Sequence, residues 1–278
     1  MRRLSEVMLI GCMGLVLALV MPIEAAAQTC PNDSVRVGTI CLDEFEASVW
    51  KILPTTLVQR NVIIKIKAGT VTLSDLKQAG AKQLGLVDDD LADNGCPRTG
   101  NGCVNVYAVS IAGVLPARFI TWFQAVAAAR NSFKRLPTNA EWQAGALGTP
   151  DPGTAGGEED CNVGGETFSG VIDVTGARPN CFSDSGAWDM VGNVAEWVAD
   201  WVPQSKDESS DEDCGPWTTT AGFNEDLHCL KPANATGPGA LLRGGDFAGG
   251  STGAGVFHVT GRASPHNRGT SFGFRAAR

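Results

Sequence analysis

Nine cysteines and one acidic loop are the parts of this 278-residue chain whose types and spacing could carry chemistry. Cys12 lies in an apolar leader; the others are Cys30, Cys41, Cys96, Cys103, Cys161, Cys181, Cys214 and Cys229. None stands in the C-x-x-C spacing of a thiolate metal site. They come in close couples, and an even set in an exported chain reads as a disulfide framework. The couples predict Cys30–Cys41, Cys96–Cys103, Cys161–Cys181 and Cys214–Cys229, although other pairings are formally open. Between Asp189 and Glu196, two carboxylates flank Gly192 and Val194, whose carbonyls could join them around one ion. Hard cations such as Ca²⁺ take carboxylate and carbonyl oxygens together. The competing reading is a turn held by side-chain hydrogen bonds. The three histidines, His228, His258 and His266, form no H-x-x-x-H or H-E-x-x-H pattern. No G-x-S-x-G, Walker or dinucleotide fingerprint is present.

The elements that must position these residues are short. Arg2 and Arg3, an apolar run from Val7 to Val20, and Ala25-Ala26-Ala27 have the three parts of a secretory signal over residues 1–27. The run is shorter than a membrane-spanning helix requires, so no stable span is expected after its removal. The chain is then exported, to the periplasm or beyond. A net charge of −8 argues against a nucleic-acid partner, whose affinity comes from Lys and Arg neutralising phosphates. Val35–Val37, Val62–Ile66 and Val104–Ile111 read as strands. A short helix is expected from Ser74 to Gln83, and an alanine-rich one from Thr121 to Arg130. Thr138 with Glu141 makes a capping box that starts a further helix ending before Gly148. Residues 88–103 read as a surface loop. So does the acidic run 207–213, and from Thr149 onward glycine and proline predict loops with short strands. Trp142, Trp188, Trp197 and Trp201 are expected core anchors, and Arg135 and Arg275 expected buried partners of Glu141 and Glu196. The fold class is a single loop-rich α+β domain over residues 28–278, with short mixed sheets and two main helices.

Several segments resemble the formylglycine-generating enzyme (sulfatase-modifying factor) family, a variant of the C-type lectin fold. Cys41–Ser48 is similar to its opening strand, and Lys134-Arg135-Leu136-Pro137-Thr138-Asn139-Ala140-Glu141-Trp142 to its K-R-L-P-T-x-A-E-W signature. Gly186–Trp197 resembles its G-L-Y-D-M-x-G-N-V-W-E-W block; Leu242-Arg243-Gly244-Gly245 and Gly273-Phe274-Arg275-Ala276 resemble its last two motifs. The resemblance implies a structural Ca²⁺ site at Asp189, Gly192, Val194 and Glu196, and a second site beginning at Asn162 and Val163.

It also implies an oxidation of substrate cysteine through two copper-binding cysteines soon after the R-G-G motif. Here that stretch, Asp246 to Phe257, contains no cysteine, and Asp246 replaces the family's active-site serine. Cu(I) requires soft thiolate ligands, which glycine and alanine cannot supply, so no copper is expected. Residues 246–272 are instead small and polar, with interspersed aromatic and basic anchors of the kind recognition surfaces use. The segment also resembles the C-terminal variable region of retroelement-diversified proteins. The resulting expectation is a non-catalytic domain binding a protein or glycan, at a cell surface, through Asp246, Phe247, Phe257, His258, Arg262, His266, Asn267 and Arg268. One alternative is an oxidoreductase or other envelope-protein-modifying enzyme with an altered site, its metal held by Asp246 and a histidine. A structural envelope protein is the third reading.

Overall fold

The computed structural model describes residues 29–151, 160–164, 170–205, 214–217, 226–230 and 237–278. The expected signal segment and the acidic run 207–213 lie outside them. The chain opens with a hairpin, β1 (Ser34–Val37) and β2 (Ile40–Asp43). A three-stranded sheet follows in the order β4-β3-β5, from β3 (Ala47–Lys51), β4 (Lys82–Leu84) and β5 (Val106–Ser110). The largest sheet is six-stranded and mixed. Its long member, β6 (Ala195–Pro203), pairs antiparallel with β9 (Pro238–Arg243) and parallel with β11 (Phe272–Phe274). Beyond β9 lie β10 (Val259–Thr260), β8 (Leu227–Cys229) and β7 (Gly215–Pro216). The α+β class with short mixed sheets holds.

Three local expectations need correction. Residues 62–66 are not a strand but part of helix α1 (Leu57–Ala68). Thr56 caps it, with the Gln59 side chain returning to the cap. Val62, Ile63 and Ile66 are buried while Ile64 is 63% exposed, a helical rather than alternating pattern. The next helix, α2 (Leu73–Gln78), is capped by Thr72 through Asp75 rather than by Ser74, and Lys82 and Gln83 belong to β4. Residues 88–103 include a short helix, α3 (Asp90–Asp93), and bury Leu91, Cys96 and Cys103. The other two helices expected from the sequence are present as α4 (Trp122–Asn131), capped by Thr121, and α5 (Asn139–Gly145), capped by Thr138 with Glu141. One further turn, α6 (Gly250–Gly253), follows β9.

The K-R-L-P-T segment ties both ends of the described chain together. Lys134 Nζ is buried at 2.6 Å from both Asp33 and Asp43, and Arg278 holds the other side of Asp33 at 2.7 Å. Arg135 pairs with Glu141 as expected, but at the surface rather than buried, its side chain 47% exposed, and Ala277 bridges to Leu42 and Arg135. All four expected disulfides are formed. Such a set belongs to an oxidising compartment outside the cytoplasm. Among the described residues no helix is long and apolar enough to cross a membrane.

Candidate functional site

The block from Asp189 to Trp197 turns sharply before entering β6. Asp189 and Asn193 adopt left-handed backbone with φ of 55°, as does Gly192 at 77°. A side chain at Gly192 would collide with the carbonyl of Asn162. Glycine is therefore required there by both conformation and space. The turn is filled from a distance: Glu46, at the start of the three-stranded sheet, accepts the Asn193 side-chain N–H at 2.6 Å and the Val194 amide at 3.0 Å. Burial pushes the Glu46 carboxyl well above its ordinary range, and repulsion from Asp189 and Glu196 adds to it. Asp189 is pushed up to about 6, chiefly by burial.

Glu196 commits both carboxylate oxygens elsewhere. Arg275 donates to them at 2.7 Å, and Trp142 Nε1 donates to Oε2 at 2.6 Å. Asp189 accepts the Gly176 amide at 2.7 Å. Asn162 donates to the Val171 carbonyl and to Asn193, and the Val163 carbonyl accepts the Gly250 amide. As arranged, Glu196 is not offered to a cation. Asp189 with the Gly192 and Val194 carbonyls falls short of the roughly six to eight oxygens Ca²⁺ takes. Among the described residues no three His, Cys, Asp or Glu side chains converge as a metal site. The residues do not fit a Ca²⁺ ion in this arrangement.

The eight residues expected to bind a ligand fall into separate neighbourhoods. Asp246 accepts the Ser271 hydroxyl at 2.6 Å and the Ala248 amide, and the Phe247 amide donates to Asn193. Phe257 lines a cavity of about 710 Å³ together with Val256 and Asp151. His258 and Arg262 line another, of about 240 Å³, with Phe272 and the Cys214–Cys229 pair. Burial there drives the His258 imidazole down to about 4, with the Arg243 and Arg262 charges contributing, so the ring is neutral at pH 7.

His266, Asn267 and Arg268 lie at the surface. The His266 ring packs edge-on against Phe123 at 4.8 Å, and Phe123 meets Trp122 and Trp201. Trp201 is 42% exposed, so the expectation of a core anchor fails for it. The register of β6 against β9 shifts between Trp197 and Trp201, and the second half of β6 runs out of the core. Trp142 and Trp197 are fully buried as expected, and Trp188 is half-buried between Phe45 and Phe182. Arg268 is anchored by Asp88 at 2.6 Å and Asp89 at 3.0 Å, and Arg98 pairs with Asp89 as well. Sequence reading missed Trp122 and Phe123 as part of this face. Their helical position next to the Thr121 cap was visible, but not what lay opposite.

The profile of the family described as "Sulfatase-modifying factor enzyme 1-like domain" matches residues 35–278. The chain is 38% identical over 101 residues to a formylglycine-generating enzyme of Thermomonospora curvata, covering 31% of this chain and 33% of that protein. It is 31% identical over 182 residues to the formylglycine-generating enzyme of Streptomyces coelicolor, covering 58% and 52%. It thus spans about a third to a half of the length of these relatives. Among solved structures it is similar to a major tropism determinant, the P3c variant, with a TM-score of 0.46 and 14% identity over 89% of this chain and 52% of that one.

Proposed function

Because the chain belongs to the family of sulfatase-modifying factor enzyme 1-like domains, we propose that it keeps the family scaffold without thiol–copper chemistry and acts as an exported ligand-binding domain. The observation that carries this reading is the state of its sulfur. All eight cysteines from Cys30 to Cys229 are consumed in disulfides, and none follows Cys229. Within the stretch after the R-G-G motif, a side chain at Gly255 would collide with the Asp226 carboxylate. A carboxylate therefore occupies the direction in which a thiol at that position would point.

The binding face we assign is the edge where His266 and Asn267 lie exposed beside Phe123 and the half-open ring of Trp201. Aromatic rings give a rigid apolar platform, and the amide and imidazole beside them give directional hydrogen bonds. Arg268, held by two aspartates, keeps its backbone in place at the end of the patch. This combination suits a protein or glycan at a cell surface. The remaining residues of the segment lie elsewhere: Asp246 accepts the Ser271 hydroxyl, the Phe247 amide donates to Asn193, and Phe257, His258 and Arg262 line separate cavities.

The test is binding of the purified mature chain to an array of glycans and to intact cell surfaces. Trp201→Ala and His266→Ala should each weaken any saturable binding at least tenfold, while Ile64→Ala, on the exposed side of α1, should not. Unchanged binding in both patch variants would overturn the assignment.

A further inference from the structure

The cavity of about 710 Å³ is walled by Ala140, Ala144, Ala146 and Leu147 on the α5 side and by Val256 and Phe257 opposite. At its polar end stand Asp151 and Thr149. Asp151 accepts the Val256 amide at 3.1 Å. Asp226, which is wholly buried, accepts the next amide, Phe257, at 2.7 Å. Successive amides thus hold two aspartates from distant parts of the chain side by side. Among the described residues Thr149 Oγ1, at the cavity itself, is buried without a hydrogen-bond partner, while Asp226 lies behind the lining and is hydrogen-bonded to Asp151. An unsatisfied buried polar atom costs stability, and one standing beside a carboxylate at the edge of a cavity marks a place for a donor.

We propose that this cavity binds an organic cation, a primary ammonium carried on a short apolar stem, with its charged end against Asp151 and Thr149 and its stem along Ala144, Leu147 and Phe257. The wall chemistry sets the choice. A bare metal ion would leave the apolar walls unused, and an anion would face two carboxylates. This site lies apart from the His266 face and does not depend on it.

Asp226 stands behind Asp151 as a reserve of negative charge. Its charged neighbours are Asp151 and Arg243, and Arg243 donates to the carbonyls of Val256, Phe257 and His258 and to the side chain of Gln143. Burial, with repulsion from Asp151, pushes the Asp226 carboxyl up to about 8. The empty pair therefore holds a proton at pH 7. An arriving ammonium favours the doubly ionised pair, so binding expels close to one proton to solvent.

Calorimetric titration of the mature chain with 1,5-diaminopentane, and with 1-pentanol as a neutral control, tests this. Saturable binding is expected for the diamine and not for the alcohol. Its apparent heat should differ between phosphate and Tris buffers by the ionisation heat of about one released proton. Asp151→Asn should raise the Kd at least tenfold and remove most of the buffer dependence. Ala144→Phe, which fills the mouth and leaves both carboxylates in place, should also raise the Kd tenfold or more. Near-UV circular dichroism checks that each variant is folded, and Ala144→Phe decides the matter if Asp151→Asn is not. No saturable diamine binding to the wild type, equal binding of diamine and alcohol, or full affinity in Ala144→Phe would each overturn the proposal.

Discussion

Arg275 and Glu196 form a two-pronged contact, Nε to Oε2 and Nη2 to Oε1 both at 2.7 Å, that locks the last strand to the long central one. Both side chains are almost wholly buried. The same guanidinium reaches the carbonyls of Asp43, Trp188 and Asp189, so one residue near the C-terminus organises the hairpin, the turn and the sheet. Removing one partner of a buried pair leaves an uncompensated charge and costs about 3–5 kcal/mol. Arg275→Met and Glu196→Gln should each show a loss of that size in urea unfolding. The double variant should lose less than the sum. Single losses below about 1 kcal/mol, the range of exposed pairs, would contradict the role given to this contact.

Lys134 should behave differently from Arg275 because it faces two aspartates. Burial pushes Asp43 up to about 6 even with Lys134 present. Lys134→Met removes the cation facing Asp43, which then becomes still easier to protonate in the fold than in the unfolded chain, while Arg278 keeps its hold on Asp33. The contribution of Asp43 then diminishes as pH rises. The variant's deficit against wild type should be largest near pH 7 and shrink toward pH 4, measured as the difference in Tm. A deficit independent of pH would contradict this account.

The pair at Asp226 sets a pH slope. Its folded pKa, about 8, lies above the ordinary value of 3.8, so the folded state holds a proton that the unfolded chain releases. Its contribution is complete below about pH 4 and is lost as pH rises toward 8, at about 1.4 kcal/mol per unit in the middle of that window. Asp226→Asn keeps a neutral side chain at every pH. It should flatten the fall in stability between pH 5 and 8, within the window that the cited pKa values define. An unchanged slope would show that Asp226 is ionised in the fold.

What was legible in the sequence was what neighbours along the chain decide. The alanine content after Thr121 and the capping box at Thr138 marked two helices, and close spacing marked the four disulfides. The same logic would have revealed α1, since Thr56 and Gln59 stand at the spacing of a capping box; the β-branched run Val62-Ile63-Ile64 masked it by resembling a strand. The site residues were harder because distance in sequence hides their partners. Glu46 meets Asn193 across 147 residues, and the neighbours of Asp189 and Glu196 include a carboxylate that no local pattern identifies. Trp201 was misplaced because a register shift inside one strand cannot be read from alternation alone.

The most direct test of the central claim is exposure of the purified, disulfide-bonded chain to Cu(I), and then to a cysteine peptide in the presence of oxygen. With every described cysteine paired and the Gly255 direction filled by Asp226, the protein should take up no stoichiometric Cu(I), and the peptide thiol should persist. Stoichiometric copper binding, or conversion of the peptide cysteine to an aldehyde, would contradict the account.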